Sequence, residues 1–315
     1  MFQFKWRQGA ITALKCFFSV LLLAMLMRNF PEGTDWQKYK ILGWGWLCAA
    51  IIGGFLQFII LGLRWRQTTF AWLGDPRPDF NSSRFSFVSM LWISAAISQI
   101  LPGLVAGDGY RIAALRTGGL DFKAATASVV SDRLIGMVAL TVLSIPGAAL
   151  LIVHQLSVFW LMLAVAISGL FLWCLWRLAF IFEKFSPSKI KHFVQMFKIR
   201  FVTRKGALLL VLAALGHLIS IYILWCLVGA LDVNLPLLPL VLLFPLALFA
   251  AMLPISAGGW GVRELTLVGT LATFGAKSSD VLIASVFFGI INAGLAGLSA
   301  LFIVASLMTA KGTKA

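Results

Sequence analysis

The chain has 315 residues, of which 61% are hydrophobic and 12% charged, with a mean hydropathy of +0.97. This composition excludes a soluble domain and predicts an all-α polytopic membrane protein, built as one integral membrane domain. The formal charge of +15 sits in the connections between apolar runs, which assigns it to a membrane face and not to nucleic acid.

The first apolar run, 10–27, follows Lys5 and Arg7 and has no small-x-small cleavage site before Arg28, so it reads as a retained helix. A second run covers 41–63 and leads into the basic connection 64–84, with Arg64, Arg66, Arg77 and Arg84. Residues 85–101 form an apolar arm that ends in the break Leu-Pro-Gly-Leu-Val-Ala-Gly-Asp-Gly-Tyr-Arg at 101–111, and a shorter return arm, 111–120, follows. The next run, 126–153, carries Asp132-Arg133 two to three turns into apolar sequence. After the run 157–176 comes the linker 177–205, in which Ile190, Phe193, Val194, Phe197 and Phe201 recur at helical spacing among basic residues. Such a segment suits the anionic cytoplasmic leaflet, or caps the bundle. The run 206–231 is followed by a second arm, 237–253, the break Leu-Pro-Ile-Ser-Ala-Gly-Gly-Trp-Gly-Val-Arg at 253–263, a return arm 263–275 and a last run, 281–308. The full runs are near the roughly 20 residues that a bilayer core requires. Cys16, Cys48, Cys174 and Cys226 lie inside apolar runs without paired spacing and read as packing residues. On the last run Gly289, Ala293 and Gly297 lie four apart, a small-residue stripe that permits close helix packing.

The two breaks match at a constant offset. Pro102 and Pro254, Gly107 and Gly259, Gly109 and Gly261, and Arg111 and Arg263 each lie 152 positions apart. Ala127-Ser128-Val129 recurs as Ala284-Ser285-Val286 at an offset of 157. Proline is scarce and arginine is costly in an apolar chain, so these matches point to an internal duplication with halves 1–153 and 154–315.

Charge sets the expected topology. With a cytoplasmic N-terminus, Lys5, Arg7, the arginines of 64–84, the eight basic residues of 177–205, Lys311 and Lys314 share the cytoplasmic side. Arg28, Lys38, Lys40 and Lys277 are left opposite. The bias requires 85–123 to begin and end in the cytoplasm and 237–276 to begin and end outside. Two re-entrant hairpins entering from opposite faces satisfy this, since the return arms are shorter than a span. The expected architecture is an inverted repeat of three spans plus one re-entrant hairpin per half, six spans and two hairpins in all, with both termini cytoplasmic. In the alternative every arm crosses, giving eight or more helices.

Ionisable groups at membrane depth mark functional sites. Here they are Asp108, Arg111, Asp132, Arg133, Arg263 and Glu264. Gly107, Gly109, Gly258, Gly259 and Gly261 are expected just before helical return arms, where backbone N–H groups and the positive helix end receive an anion. An arginine on the first turn adds bidentate recognition of phosphate. With Pro102 and Pro254 these residues form the candidate substrate site, for which a lipid phosphate is the available anion. The same charges also allow internal staples, Arg111 with Asp108 and Arg263 with Glu264 or Asp132. Arg133 either lines the cavity or neutralises Asp132. His154, His192 and His217 have no ligand spacing, His217 reading as a packing residue, and no P-loop lysine or catalytic triad accompanies the glycines. No enzyme activity, cofactor or metal is expected.

Leu-Pro-(x)4-Gly-Asp-Gly-Tyr-Arg, then Ala-Ser-Val-Val-Ser-Asp-Arg at 127–133, then Leu-Pro-Ile-Ser-Ala-Gly-Gly-Trp-Gly-Val-Arg-Glu together resemble the lysylphosphatidylglycerol synthase transmembrane-region family, a flippase-like membrane domain. The resemblance covers nearly the whole chain. The family usually has Glu-Arg where this chain has Asp132-Arg133. It implies movement of a lipid with an anionic headgroup between the leaflets of a bacterial inner membrane, with the prolines, glycines and charged residues named above on its motif positions. It does not name the lipid. Aminoacyl-transferring members carry a separate soluble catalytic domain, which is not expected within these residues. A soluble transferase is then the partner in the alternative reading, a membrane subunit or lipid-modifying enzyme that acts with it.

Overall fold

The computed structural model describes residues 2–28, 41–73, 84–100, 104–153, 204–252 and 256–312. These residues are helical and contain no strand. In chain order the helices are α1 (Phe2–Arg28), α2 (Trp44–Leu73), α3 (Arg84–Ile100), α4 (Leu104–Thr117), α5 (Phe122–Val153), α6 (Arg204–Ala230) and α7 (Leu237–Met252), then a short 3-10 turn (Ala257–Gly259), α8 (Val262–Ala272) and α9 (Ser278–Gly312). Within α2, α5, α6 and α9, the stretches Trp44–Ala71, Phe122–Ile152, Arg204–Ala230 and Ser278–Ser299 are long and apolar enough to cross a membrane. Backbone polar groups in lipid must be satisfied within the segment, which favours helix for such runs. The run 157–176, the linker 177–205, Pro102 and Pro254 lie outside the described residues.

One boundary differs from expectation. The second run does not end at Leu63 but continues as helix to Leu73, so Arg64 and Arg66 are helical residues and not part of a loop. Arg-Trp-Arg-Gln-Thr-Thr contains no helix breaker, and the charge of Arg64 is met by a carboxylate inside the bundle.

α2 and α6 run antiparallel against each other. Leu42 N–H donates to the Ala230 carbonyl at one end. Further along, Gln57 Nε2 donates to the Gly216 carbonyl at 3.0 Å and to Ser220 Oγ at 2.6 Å. Glycines bring the helices close: a Cβ on Gly53 would stand 3.2 Å from Ile223, and one on Gly216 would stand 2.9 Å from Leu61. Around this pair, α3 packs on α4 and α7 packs on α8. Across the chain α5 packs on α7, and α9 packs on α3, where Trp92 Nε1 donates to the Leu295 carbonyl at 2.6 Å. α1 packs against the 3-10 turn and α8.

Two larger buried cores result, beside a small cluster of Ile135, Ala139, Leu209 and Ala213 between α5 and α6. One joins Trp65, Phe87, Leu115, Leu120, Ala125 and Val129, from α2 to α5. The other is built mainly from α6 to α9, including Leu227, Leu243, Phe244, Leu271 and Phe288, with Ala50 and Leu150 reaching in from the first half. α3, α4, α7 and α8 have 17, 14, 16 and 11 residues, which at 1.5 Å per residue gives lengths of about 16–26 Å. Each is shorter than a bilayer core of ~30 Å. Both α4 and α8 stop at a glycine in the left-handed region, Gly119 (φ 94°) and Gly275 (φ 78°). The next N–H reaches back five residues in each case, Leu120 to Leu115 and Ala276 to Leu271. The small residues of α9 do not share one packing face. Gly289 is packed under Trp260, whereas a Cβ on Gly297 would meet nothing within 4 Å.

Candidate functional site

The charges within apolar sequence gather in two clusters, one at α4 and one at α8. In the first, Asp132 on α5 is buried and accepts from Arg64 Nε of α2 on one oxygen and from Arg111 Nη2 of α4 on the other, both at 2.8 Å. A buried carboxylate held by two guanidiniums has a charge-assisted partner on each oxygen. The Arg111 guanidinium lies over the Trp65 ring, 4.1 Å from its centroid, and charge over a desolvated indole face adds attraction. Trp65 Nε1 donates to Ser128 Oγ at 3.2 Å, and Ser128 shares a 2.7 Å hydrogen bond with Thr69. Asp108, on the second turn of α4, takes a fork from Arg133, Nε at 2.7 Å and Nη2 at 3.1 Å, with Arg111 Nη1 at 3.6 Å. Arg133 thus neutralises Asp108 and not its neighbour Asp132. His217 Nε2 pairs with the Gly136 carbonyl at 3.0 Å, in keeping with a packing histidine.

In the second cluster Arg263 pairs with the adjacent Glu264, and not with Asp132 across the bundle. Arg263 Nε donates to Ser285 Oγ at 3.0 Å and Nη2 to the Ser285 carbonyl at 2.9 Å. The Trp260 and Phe288 rings lie 5.4 and 5.1 Å from its guanidinium carbon. Glu264 is completely buried, and its oxygens take Arg263, Ser285 Oγ at 3.0 Å and the Gly261 N–H at 2.7 Å. The break is also tied to α1: Ala257 N–H donates to Ser19 Oγ at 2.9 Å, and a Cβ on Gly261 would stand 2.7 Å from Leu22 Cβ.

The glycines divide by role. Gly258, Gly259 and Gly261 have φ of 60°, 80° and 86° and precede α8 as expected. In the first copy the expectation fails, because α4 starts at Leu104 and encloses Gly107, Asp108 and Gly109. The physical reason lies in packing. A Cβ on Gly107 would come within 2.5 Å of the Ser94 carbonyl oxygen, so this glycine lets a continuous helix lie against α3. Gly259, its counterpart at offset 152, meets Ala251 of α7 in the same way, with a Cβ only 2.7 Å from the Ala251 Cβ. Around Gly109 there is nothing within 4 Å.

The family described as "Lysylphosphatidylglycerol synthase TM region" matches residues 12–300, nearly the whole chain. The chain belongs to this family. A comparison with curated proteins finds no match. Family membership and the apolar helices together make this a multi-pass membrane protein, and the family points to lipid metabolism or transport. Within this family member the candidate site residues that are described fall into the two clusters above. Arg64, Trp65, Ser128, Ser285 and Trp260 complete them and were not singled out by motif reasoning. The recurring Ala-Ser-Val triplet was the available signal for the two serines, which are both fully buried, Ser128 bonded to Trp65 and Ser285 to Arg263.

Proposed function

We propose that the chain is a lipid flippase that moves a lipid with an anionic phosphate headgroup between the leaflets of a bacterial inner membrane. The headgroup class includes anionic phospholipids and polyprenyl-phosphate (glyco)lipids. The observation that carries the reading is the pair of buried arginine–carboxylate clusters, each on a helix shorter than a span, α4 or α8, that packs on a long apolar helix. Charge of this kind is expensive at membrane depth and is retained where polar cargo passes.

The duplicated architecture belongs to the same proposal. Taking α2, α3, α4 and α5 as counterparts of α6, α7, α8 and α9, the pairing of α5 with α7 mirrors that of α9 with α3. The hairpin contacts, the packing glycines Gly107 and Gly259, and the helix stops at Gly119 and Gly275 repeat as well. The counterparts α2 and α6 run antiparallel, as corresponding helices of inverted halves must. Inverted hairpins give two access routes to one central region, one from each leaflet. The chain in this reading makes and breaks no covalent bond. Both termini are placed in the cytoplasm by the basic bias of 64–84 and 177–205.

Proteoliposomes containing a headgroup-labelled phosphatidylglycerol test the function. An impermeant quencher bleaches only the outer half of the label in protein-free vesicles. With the protein, bleaching is expected to approach completion as inner lipid reaches the outer leaflet. Bleaching that stops at the protein-free level, with phosphatidylglycerol and with a polyprenyl-phosphate sugar alike, rejects the proposal.

A further inference from the structure

The two clusters differ in what they leave open to a ligand. Arg263 is enclosed between Trp260 and Phe288, held by Ser285 and Glu264, and its carboxylate partner has no exposed surface. A headgroup reaching it would have to strip a satisfied buried pair, which is strongly unfavourable. Arg111 is likewise enclosed, 4% exposed, against Trp65 and Asp132. Arg133 differs, with a side chain 37% exposed, and its partner Asp108 is 20% exposed. Asp108 also stands between two cations. Arg133 holds it at 2.7 Å, whereas Arg111 Nη1 waits at 3.6 Å, just beyond hydrogen-bonding distance. Buried Arg111 Nε has no hydrogen-bond partner among the described residues.

We infer that Arg133 is the residue that meets the headgroup, and that Asp108 is handed from Arg133 to Arg111 when an anion arrives. Phosphate oxygens take the place of the Asp108 carboxylate on the Arg133 fork. Asp108, released, closes the gap to Arg111, its neighbour one turn along α4. No proton moves and no charge is left without a counter-charge. Before the exchange Asp108 ties α4 to Arg133 on α5; afterwards its ion pair is internal to α4. Headgroup arrival therefore loosens the first hairpin from α5, while the Arg263–Glu264 cluster stays latched as a positioning pair. The inference rests on the transport reading and assigns its specificity to one residue. The chemistry recognised is a phosphodiester anion, which a glycerophospholipid or a polyprenyl-phosphate sugar both supply.

Two readouts test it on the full chain: binding of short-chain phosphatidylglycerol and of a short polyprenyl-phosphate sugar in detergent, and label exchange in proteoliposomes. Arg133→Gln is expected to weaken binding of the recognised lipid by about tenfold or more, the loss of one charge-assisted contact. Arg133→Lys is expected to recover part of it. Asp108→Asn is expected to split the readouts, binding more tightly because the Asp108 charge no longer competes for Arg133, yet exchanging more slowly because the hand-over is lost. A merely structural Asp108 would lower both. Lys123→Ala, at an exposed position on α5, is expected to bind as the parent does. Parent-like binding by Arg133→Gln, or an equal loss of binding by Lys123→Ala, overturns the inference. Because binding is read apart from exchange, parental protein that binds lipid through Arg133 without exchanging it rejects the transport reading alone.

Discussion

Asp132 accepts from two guanidiniums, and its removal leaves Arg64 and Arg111 buried without their shared counter-charge. Asp132→Ala is therefore expected to destabilise the folded protein by about 3–5 kcal/mol, read as a marked fall in melting temperature in detergent. Lys123→Ala, at an exposed position on the same helix, is expected to change stability by less than about 0.5 kcal/mol. The ionisable residues that matter were legible as single letters, because charge inside apolar sequence stands out. Their partners were not. Arg133 looks adjacent to Asp132 but pairs with Asp108, 25 positions away, because α4 and α5 approach along that face. Arg64 was hidden by its own charge, since two arginines within three residues read as the start of a loop.

At the scale of elements, the arms of both breaks were legible to within a residue or so, 85–101 against Arg84–Ile100 and 237–253 against Leu237–Met252. Apolar runs bounded by Leu-Pro signal their own ends. The start of the first return arm was not legible. Gly-Asp-Gly looks like a helix-preceding turn, yet Gly107 serves a close helix crossing that only the tertiary fold creates. Two neighbouring substitutions separate these roles. Gly107→Ala pushes a methyl into the Ser94 backbone and is expected to cost about 1–3 kcal/mol. Gly109→Ala, in the same helix with open space around it, is expected to stabilise by up to about 1 kcal/mol through helix propensity. Thermal unfolding of the two variants checks the order, and equal effects would remove the packing role from Gly107.

For the whole molecule, the repeated break at an offset of 152 was legible in the sequence, while the matching contacts of α5 with α7 and α9 with α3 needed the fold. Alternating access in the proposed flippase depends on the two hairpins opening toward opposite leaflets. Asp121 and Lys277 make that claim measurable, because each is an exposed residue in the short link between a return arm and the following long helix. In a background without the four native cysteines, Asp121→Cys and Lys277→Cys can be labelled in intact cells with a membrane-impermeant thiol reagent. The inverted arrangement predicts that Lys277→Cys reacts from outside and Asp121→Cys reacts only after the cytoplasmic face is opened. Reaction of both positions from the same face would contradict it.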